Sequence, residues 1–314
     1  MFFNNEKLRG AGETVQMTEE EIKEYLKCKQ NIFHFAKYFT IIGPAGEEKM
    51  KLRDYQEKIV KVICAKIPEK NNRIIMMGRQ TGKTTIATLY ILWYALFHKS
   101  KTIAVLANKA SQAEEILLRI KNAYIELPMW LQQGLVKWNN GEISMENKTK
   151  IFCGASSSSS VRGKSIDLLL VDEFAFIDDN MATKFMQSVF PTQAAKKDAM
   201  MMLISTPKGM NHFYDIWTKA VAGKNSFIPC KVQWYEVEGR DEKWLQKQIQ
   251  DNRRTDGSSG IHVLDRRFQS KCSRYLWKSS RINAGRIIYF GTREPGGLIN
   301  TLEVLTEWVN KIKI

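Results

Sequence analysis

The residues whose types and spacing best suit chemistry form a short glycine-rich loop, Gly-Arg-Gln-Thr-Gly-Lys-Thr-Thr, at positions 78–85. An apolar run precedes this loop and a helical pattern begins at Lys83, so the loop connects a buried strand to a helix. There, backbone N–H groups face an anionic phosphate, Lys83 adds positive charge, and the Thr84 hydroxyl can bind Mg²⁺. The first glycine of the usual pattern falls on Met77, and Gly78 comes one residue later. A glycine-rich turn with an incidental lysine is the alternative.

Two adjacent carboxylates, Asp172 and Glu173, directly follow the apolar run at 168–171. A buried strand that ends in two acids can hold Mg²⁺ through the first acid and polarise an attacking water through the second. For the pair taken alone, two solvated acids in a loop are an equal alternative. Their place after the phosphate loop, in the same alternation of strands and helices, favours the catalytic interpretation.

Small hydroxyl residues end a third apolar run, at Ser205, Thr206 and Pro207. Hydroxyls beside the γ-phosphate of a bound nucleotide can sense its loss and move the element that follows. Ordinary turn chemistry explains the same three residues when they are taken alone.

The elements that must position these residues alternate between strands and helices. The pattern predicts helices over 18–39, from Asp54, and over 83–98, 110–127 and 180–190, with a capping box at Thr18 and Glu21. It predicts strands over 73–77, 102–106, 167–171 and 199–205, and two short strands over 142–145 and 150–153 that could pair as a hairpin. Continuous apolar strands between helices predict a mainly parallel α/β sheet that is buried on both faces. The run at 102–110 is the candidate for a strand lying between the two motif strands.

Composition limits the class of protein. The chain has 314 residues, of which 44% are hydrophobic and 26% charged, as in a folded soluble protein. No apolar stretch is long enough to span a membrane or act as a secretory signal. The five cysteines have no paired spacing, which argues against a disulfide framework and a zinc site. The formal net charge of +15 makes a polyanionic partner plausible without naming it.

Together the motifs resemble the ATPase motor of the large terminase subunit of tailed bacteriophages. The matching segments are GRQTGKTT, VRGKSIDLLLVDEFAFI and STPKGMNHFYDIW, together with RDYQ at 53–56 and WYEVEGRDEKW at 234–244. The resemblance implies an α/β P-loop NTPase of the additional-strand (ASCE) class, with a mainly parallel central sheet flanked by helices and a small helical subdomain. It also implies that ATP hydrolysis drives viral double-stranded DNA into a preformed capsid.

Residue roles follow from the matching positions. Glu173 would be the catalytic carboxylate, and Arg79 would stabilise transition-state charge, with a plain phosphate or structural contact as its alternative. Thr84 and Asp172 would hold Mg²⁺, and Ser205, Thr206 and Pro207 would couple hydrolysis to movement. The role of Arg162 and Gly163 stays open. The ATP-binding set is Tyr55, Gln56, Gly78, Arg79, Gln80, Thr81, Gly82, Lys83, Thr84 and Thr85.

The resemblance further implies partners: double-stranded DNA, the portal protein, the small terminase subunit and a homo-oligomeric ring on the capsid, with no membrane. The location would be the host cell cytoplasm during virion assembly. A helicase-like DNA translocase with the same ATPase core is an enzymatic alternative. An inactive truncated fragment that binds nucleic acid is a non-enzymatic one.

The domain organisation is predicted from the same comparison. An N-terminal helical part spans 1–53, the P-loop ATPase core 54–209, and the C-terminal part of the motor 210–252. Over 253–314 the chain holds 4 Lys and 8 Arg, against 29 Lys and 7 Arg before it. This tail loses the resemblance, and none of its five acids ends an apolar strand as a two-metal site requires. We therefore expect an unrelated basic tail without a nuclease centre.

Overall fold

The computed structural model describes residues 5–43, 46–156, 163–194, 196 and 198–253. Its helices are α1 (Glu19–Gln30), α2 (Ile32–Phe35), α3 (Asp54–Cys64), α4 (Lys83–Phe97), α5 (Ala110–Ile125), α6 (Asp179–Ala194), α7 (His212–Val221) and α8 (Glu242–Arg253). Its strands are β1 (Thr40–Gly43), β2 (Gly46–Lys49), β3 (Asn72–Met76), β4 (Thr102–Ala107), β5 (Leu135–Trp138), β6 (Glu142–Met145), β7 (Lys150–Ala155), β8 (Leu168–Asp172), β9 (Met200–Ser205) and β10 (Phe227–Lys231).

Eight of these strands form one sheet, in the order β10-β3-β9-β8-β4-β7-β6-β5. The first six strands run parallel, and β6 and β5 add an antiparallel extension. The predicted hairpin is present as the β6–β7 pair. The sheet confirms the mainly parallel α/β fold. The hairpin β1–β2 forms a separate two-stranded sheet, so the part predicted to be helical at 1–53 also contains strands.

The strand that separates the two motif strands is β9, and the prediction that this strand is β4 is wrong. Strand β9 pairs with β3 on one side and with β8 on the other, whereas β4 lies beyond β8. Each strand is a continuous apolar run, so local sequence cannot distinguish their places in the sheet. The three motif-bearing strands are nevertheless adjacent and parallel, and their carboxyl ends meet at one edge.

Alternate residues of the strands face two apolar layers. Ile75 of β3 and Leu170 of β8 pack in a layer with α1 to α5, whereas Ile74 and Leu169 pack in a layer with α6 and α7. Helix α4 is buried around most of its circumference because it lies between the sheet and the N-terminal helices. Both faces of the parallel sheet are therefore covered by helices. Helix α4, which begins at Lys83, is held in place by the packing on both of its sides.

The predicted helix over 18–39 is two helices. Asn31 adopts an extended conformation (φ −139°), ends α1 and caps α2 by accepting a hydrogen bond from the Phe33 N–H to its side chain at 2.8 Å. Asparagine favours such a break because its side chain competes with the backbone for hydrogen bonds. The capping box predicted at the start of α1 is present, with Thr18 and Glu21 bonded reciprocally. No helix in the described part of the chain is long and apolar enough to cross a membrane.

Both edges of the large sheet carry a feature that limits further strand pairing. On the β10 edge, the Val232 N–H donates to the Met76 carbonyl of β3 at 3.0 Å. In a parallel pair, every second residue of a strand donates to the same neighbouring strand, so the nitrogen of Pro229, three residues earlier, faces away from β3. On the β5 edge, Leu135 bonds to the backbone of residues 9–11: its N–H donates to the Arg9 carbonyl at 2.9 Å, and its carbonyl accepts from the Ala11 N–H at 3.0 Å.

Arg73 in β3 is a buried cation that fastens the chain leaving α3 to the sheet. Its guanidinium donates to main-chain carbonyls of Val62 (2.7 Å), Lys70 (2.9 Å), Asn72 (3.1 Å) and Ala65, and the residue is 2% exposed. Burial lowers the pKa of this guanidinium.

We expect Arg73→Met to lower the free energy of unfolding by about 3 kcal/mol or more, because one buried and three partly buried carbonyls lose their donor. Urea unfolding measures the change. Lys61→Met on the exposed side of α3 is the control, with an expected change within about 0.5 kcal/mol. Equal stability of the two variants would contradict this role for Arg73.

Candidate functional site: the edge where β3, β9 and β8 end

The phosphate-binding loop lies between the end of β3 at Met76 and the start of α4 at Lys83. Gln80 (φ +55°) and Gly82 (φ +76°) both have left-handed backbones, and Gly82 caps α4. The Thr81 hydroxyl donates to the Gly78 carbonyl at 2.7 Å and closes the loop on itself. Thr84 and Thr85 stand in the first turn of α4, where their backbone N–H groups belong to the unpaired helix start.

Residues Tyr55 and Gln56 of α3 support this loop from the other side. The Tyr55 hydroxyl donates to the Thr81 carbonyl at 3.1 Å. The Gln56 side chain accepts the N-cap hydrogen bond from the Arg53 N–H at 3.1 Å and lies against Gly82. Tyr55 is 3% exposed and Gln56 7%. Their adenine contact stays a prediction, but both are parts of the loop's support rather than solvated helix positions.

We expect Gly82→Ala to damage the loop in two ways. Alanine at a left-handed φ costs about 1–2 kcal/mol. Its Cβ would also lie 2.8 Å from the Gln56 amide nitrogen, which must move. Urea unfolding should show the stability loss, and titration with ATP should show weakened binding. Gly223→Ala is the matched control, because it has φ +71° and open space around the new Cβ. It should lose comparable stability and no ATP affinity; equal binding by both variants would contradict the argument.

Lys83 is the centre of the site. Its ammonium lies 2.5 Å from a Glu173 carboxylate oxygen and 2.5 Å from the Thr206 hydroxyl, and the residue is only 8% exposed. These three residues come from the ends of three different elements: the loop after β3, the turn after β8 and the end of β9. A buried ammonium requires such partners because an unpaired charge is costly away from water.

Glu173 is held in place by the backbone as well as by Lys83. Its second carboxylate oxygen accepts from the Thr206 N–H at 3.1 Å and from the Ser205 hydroxyl at 3.3 Å. Glu173 itself has φ +52°, a left-handed conformation that is uncommon outside glycine, and its N–H bonds to Asp172. Backbone strain of this kind costs about 1–3 kcal/mol and is concentrated at functional sites. Pro207 follows Thr206 and is buried.

A cavity of about 270 Å³ opens beside the two carboxylates. The cavity is lined by Thr84, Ala107, Ser111, Gln112, Glu115, Ile116, Arg119, Asp172 and Glu173. Burial, and then the neighbouring charge of Glu173, raise the pKa of Asp172 to about 6, whereas Lys83 and Arg119 act in the opposite direction. A partly enclosed space that contains both the Asp172 carboxylate and the Thr84 hydroxyl offers oxygen ligands of the kind that a hard divalent cation takes.

Sequence reasoning missed the wall of this cavity that α5 contributes. Ser111, Glu115 and Arg119 recur every four residues and therefore share one face of the helix. Arg119 pairs with Glu115 at 3.2 Å. The spacing is visible in the sequence, but only the placement of β4 beside β8 indicates that this face meets the acids.

Of the two residues predicted to be catalytic, Arg79 is the one whose side chain makes no hydrogen bond or ion pair with another described residue. Its side chain is exposed, and its carbonyl accepts a hydrogen bond at 3.0 Å from Arg240, a residue that sequence reasoning did not single out. Arg162 lies outside the described residues. Within the described part of the chain, no cluster of three or more His, Cys, Asp or Glu side chains has the geometry of a metal site.

Comparison with known proteins decides the family. The model of the family described as "Terminase large subunit, T4likevirus-type, N-terminal" matches residues 74–262, more than half of the chain. The chain belongs to the terminase large subunit family. The match includes the phosphate loop, the acid pair and Ser205 to Pro207, and it continues past Asn252, where the resemblance to the motor was expected to stop. Tyr55 and Gln56 lie outside it.

Individual large terminases also resemble this chain, in sequence or in fold. The chain is 24% identical to the terminase large subunit of Thermus phage G20c, over 46% of this chain and 33% of that protein. The large terminase of bacteriophage HK97 has the same fold, with a TM-score of 0.57 and 17% identity over 78% of this chain and 52% of that one. The large terminase ATPase domain of Thermus phage P74-26 gives 0.51 and 17% identity, over 64% of this chain and 88% of that domain. The chain thus spans about a third of the G20c protein and about half of the HK97 protein.

Proposed function

We propose that the chain is an ATP-hydrolysing motor that translocates viral double-stranded DNA into a preformed capsid, as the ATPase part of a terminase large subunit. The observation that carries the proposal is the contact of Lys83 with both Glu173 and Thr206. Through it, the phosphate loop, the acid pair and the hydroxyls at the end of β9 form one hydrogen-bonded unit. Membership of the terminase family supports the assignment of this unit to ATP rather than to another phosphate ester.

The loop residues would bind the nucleotide. Backbone N–H groups of the loop and of the first turn of α4 face the phosphates, and Lys83 supplies charge at the β/γ end. Tyr55 and Gln56 would contact adenine from α3. Arg79, whose side chain is exposed beside the loop, would reach the transferred phosphate and stabilise its developing charge.

Glu173 would orient and polarise the attacking water. In the free protein its carboxylate is paired with Lys83, and a bound γ-phosphate would compete for that lysine. Once Lys83 turns to the phosphate, Glu173 keeps its bonds to the Thr206 N–H and the Ser205 hydroxyl and gains a free oxygen for water. Because the Thr206 hydroxyl also contacts Lys83, loss of the γ-phosphate would return Lys83 to this hydroxyl and would shift the end of β9. Ser205, Thr206 and Pro207 would transmit this change to α7.

Thr84 and Asp172 would hold Mg²⁺. Both residues line the same cavity, and hydroxyl and carboxylate oxygens are ligands that Mg²⁺ accepts together with substrate phosphates. With a pKa of about 6, Asp172 is mainly ionised at neutral pH, as a metal ligand must be. The ion would neutralise charge on the phosphates during transfer.

The partners of the motor follow from the same proposal. Double-stranded DNA is the polyanion that suits a chain of net charge +15. The portal protein, the small terminase subunit and further copies of this chain in a ring on the capsid would complete the machine, in the cytoplasm of the host cell during virion assembly.

An ATPase assay of the full chain tests the proposal. We expect hydrolysis that requires Mg²⁺ and rises when double-stranded DNA and purified portal are both added. Stimulation by DNA alone, with strand separation and no response to portal, would instead support the helicase-like alternative. DNA binding without any turnover would support the inactive fragment.

DNA binding should depend mainly on phosphate contacts, because a motor must grip any sequence. We expect the affinity for duplex DNA to fall roughly 100-fold or more between about 50 and about 200 mM salt. Fluorescence anisotropy with two duplexes of unrelated sequence measures both the salt slope and the sequence preference. An affinity for one duplex alone, unchanged by salt, would contradict the expectation.

A further inference from the structure

The segment that follows β10 returns across the phosphate loop and bonds to its backbone. Arg240, just before α8, donates from one guanidinium nitrogen (Nη2) to the carbonyl oxygens of Arg79 at 3.0 Å and Gln80 at 3.1 Å. These two carbonyls belong to the part of the loop between Gly78 and Gly82. Arg240 therefore joins the loop directly to the segment that leads into α8.

Carbonyls at this point of the loop are available as acceptors. A loop that turns its N–H groups toward a phosphate turns carbonyls outward, and Gln80 is held at φ +55°, which is unfavourable without supporting contacts. Within the described residues, no carboxylate lies at ion-pair distance from the Arg240 guanidinium. Its Nη2 nitrogen donates instead to these two carbonyls. Burial lowers the pKa of Arg240, which fits a guanidinium that is partly withdrawn from water.

Aromatic side chains hold Arg240 in this position. Its guanidinium lies 4.8 Å from the centre of the Trp244 ring, and Trp244 in turn stacks on Trp234 at 6.3 Å and 20°. Trp244 lies in the first turn of α8, where its backbone N–H donates to the Asp241 side chain at 2.8 Å. A cation over an indole face is stabilised by the ring's quadrupole. The loop, Arg240, Trp244 and Trp234 thus form one continuous series of contacts.

The same segment is fastened to the helix that supports the loop. Lys58 of α3 bonds to Glu236 at 2.6 Å and to the Lys231 carbonyl at 3.0 Å. The position of Arg240 is therefore set relative to α3, which carries Tyr55 and Gln56, as well as relative to α8.

We propose that Arg240 is a positioning residue of the nucleotide site, which holds the Arg79–Gln80 part of the loop in its phosphate-binding shape and links nucleotide occupancy to the Trp234–Trp244 pair and α8. The inference rests on the proposed function, since it takes the loop's ligand to be ATP. Linkage makes the effect reciprocal: if Arg240 favours the binding shape, nucleotide binding strengthens the Arg240 contact by the same factor.

Steady-state kinetics and tryptophan fluorescence of the full chain test this. We expect Arg240→Ala to raise KM for ATP about tenfold with a smaller change in kcat, a loss of about 1.4 kcal/mol of binding. Arg240→Lys, which can reach one carbonyl, should recover part of that loss. ADP should change the fluorescence of the wild type, and this response should disappear in Trp244→Phe and in Arg240→Ala. Lys243→Ala is the control, since it removes an exposed cation from α8 beside Trp244.

The outcomes separate this inference from the function on which it rests. A wild-type chain that neither binds nor hydrolyses ATP would remove the proposed function and, with it, the ligand of the loop. A wild type that turns over ATP while Arg240→Ala and Arg240→Lys keep its KM and fluorescence response would overturn the positioning role alone. Should Arg240→Ala fail to fold, Arg240→Lys decides: a raised KM with wild-type melting temperature supports the role, and an unchanged KM contradicts it.

Discussion

Glu173→Gln is expected to lower kcat for ATP hydrolysis by about two to four orders of magnitude while leaving ATP binding intact. Glutamine has the same shape and can still accept from the Thr206 N–H, so the turn after β8 should persist. It cannot pair electrostatically with Lys83, which frees the ammonium for phosphate. ATP affinity should therefore be equal to or higher than that of the wild type. Single-turnover hydrolysis and a binding titration measure the two effects separately.

Asp178→Asn is the matched control for that experiment. It removes one carboxylate only five residues away, on an exposed position at the start of α6, and asparagine keeps a side-chain oxygen there. We expect its kcat to stay near that of the wild type. Wild-type turnover in Glu173→Gln, or an equal loss in Asp178→Asn, would remove Glu173 from the mechanism.

Lys83→Ala should weaken binding itself. A charge-assisted contact to phosphate contributes roughly 1.5–3 kcal/mol, so the Kd for ATP should rise about tenfold to a hundredfold or more. The substitution also removes a positive charge that lowers the pKa of Asp172, so this pKa should rise further above about 6 in the free protein. At neutral pH a larger fraction of Asp172 would then be protonated, and the concentration of Mg²⁺ needed for binding should increase.

Lys99→Ala, an exposed lysine just beyond the other end of α4, is the control for lost charge. Isothermal titration with ATP at two Mg²⁺ concentrations distinguishes the two variants. Unchanged ATP affinity in Lys83→Ala would contradict the assignment of the phosphate loop.

Local sequence was sufficient to predict the helices and strands that contain continuous apolar runs. Helix α4 begins at Lys83 as predicted, and the strand over 142–145 has the predicted bounds. Three strands that end in functional residues must meet at one edge of a parallel sheet. The sequence therefore indicated that the three motifs share an edge, whereas the contacts of Lys83 with Glu173 and Thr206 are known only from the structure, and the catalytic and coupling roles remain predictions.

Other features depend on contacts between distant residues. Strand β10 was missed because its sequence, FIPCK, mixes a proline and a lysine with apolar residues and gives no continuous run. The place of β9 between β3 and β8 is decided by strand pairing, which similarly apolar strands do not encode locally. Arg119 reaches the site from α5 and Arg240 from the segment before α8. The segment 234–244 was noticed for its resemblance to the family, but no local pattern assigned a role to either arginine. The predictions for the tail at 253–314, including the absence of a nuclease centre, lie outside the described residues except for Arg253 itself.

The edges of the sheet also bear on how copies of this protein could assemble. Pro229 interrupts the outward row of N–H donors on β10, and the backbone of residues 9–11 already occupies the outer side of β5 at Leu135. Exposed strand edges are the usual template for joining sheets between molecules, and proline and covering segments are ways of preventing it. The ring that we propose would then be held by side-chain surfaces, which can slide and rotate, and not by a continuous intermolecular sheet. Subunits joined in that way can change their relative orientation during each cycle without breaking main-chain hydrogen bonds.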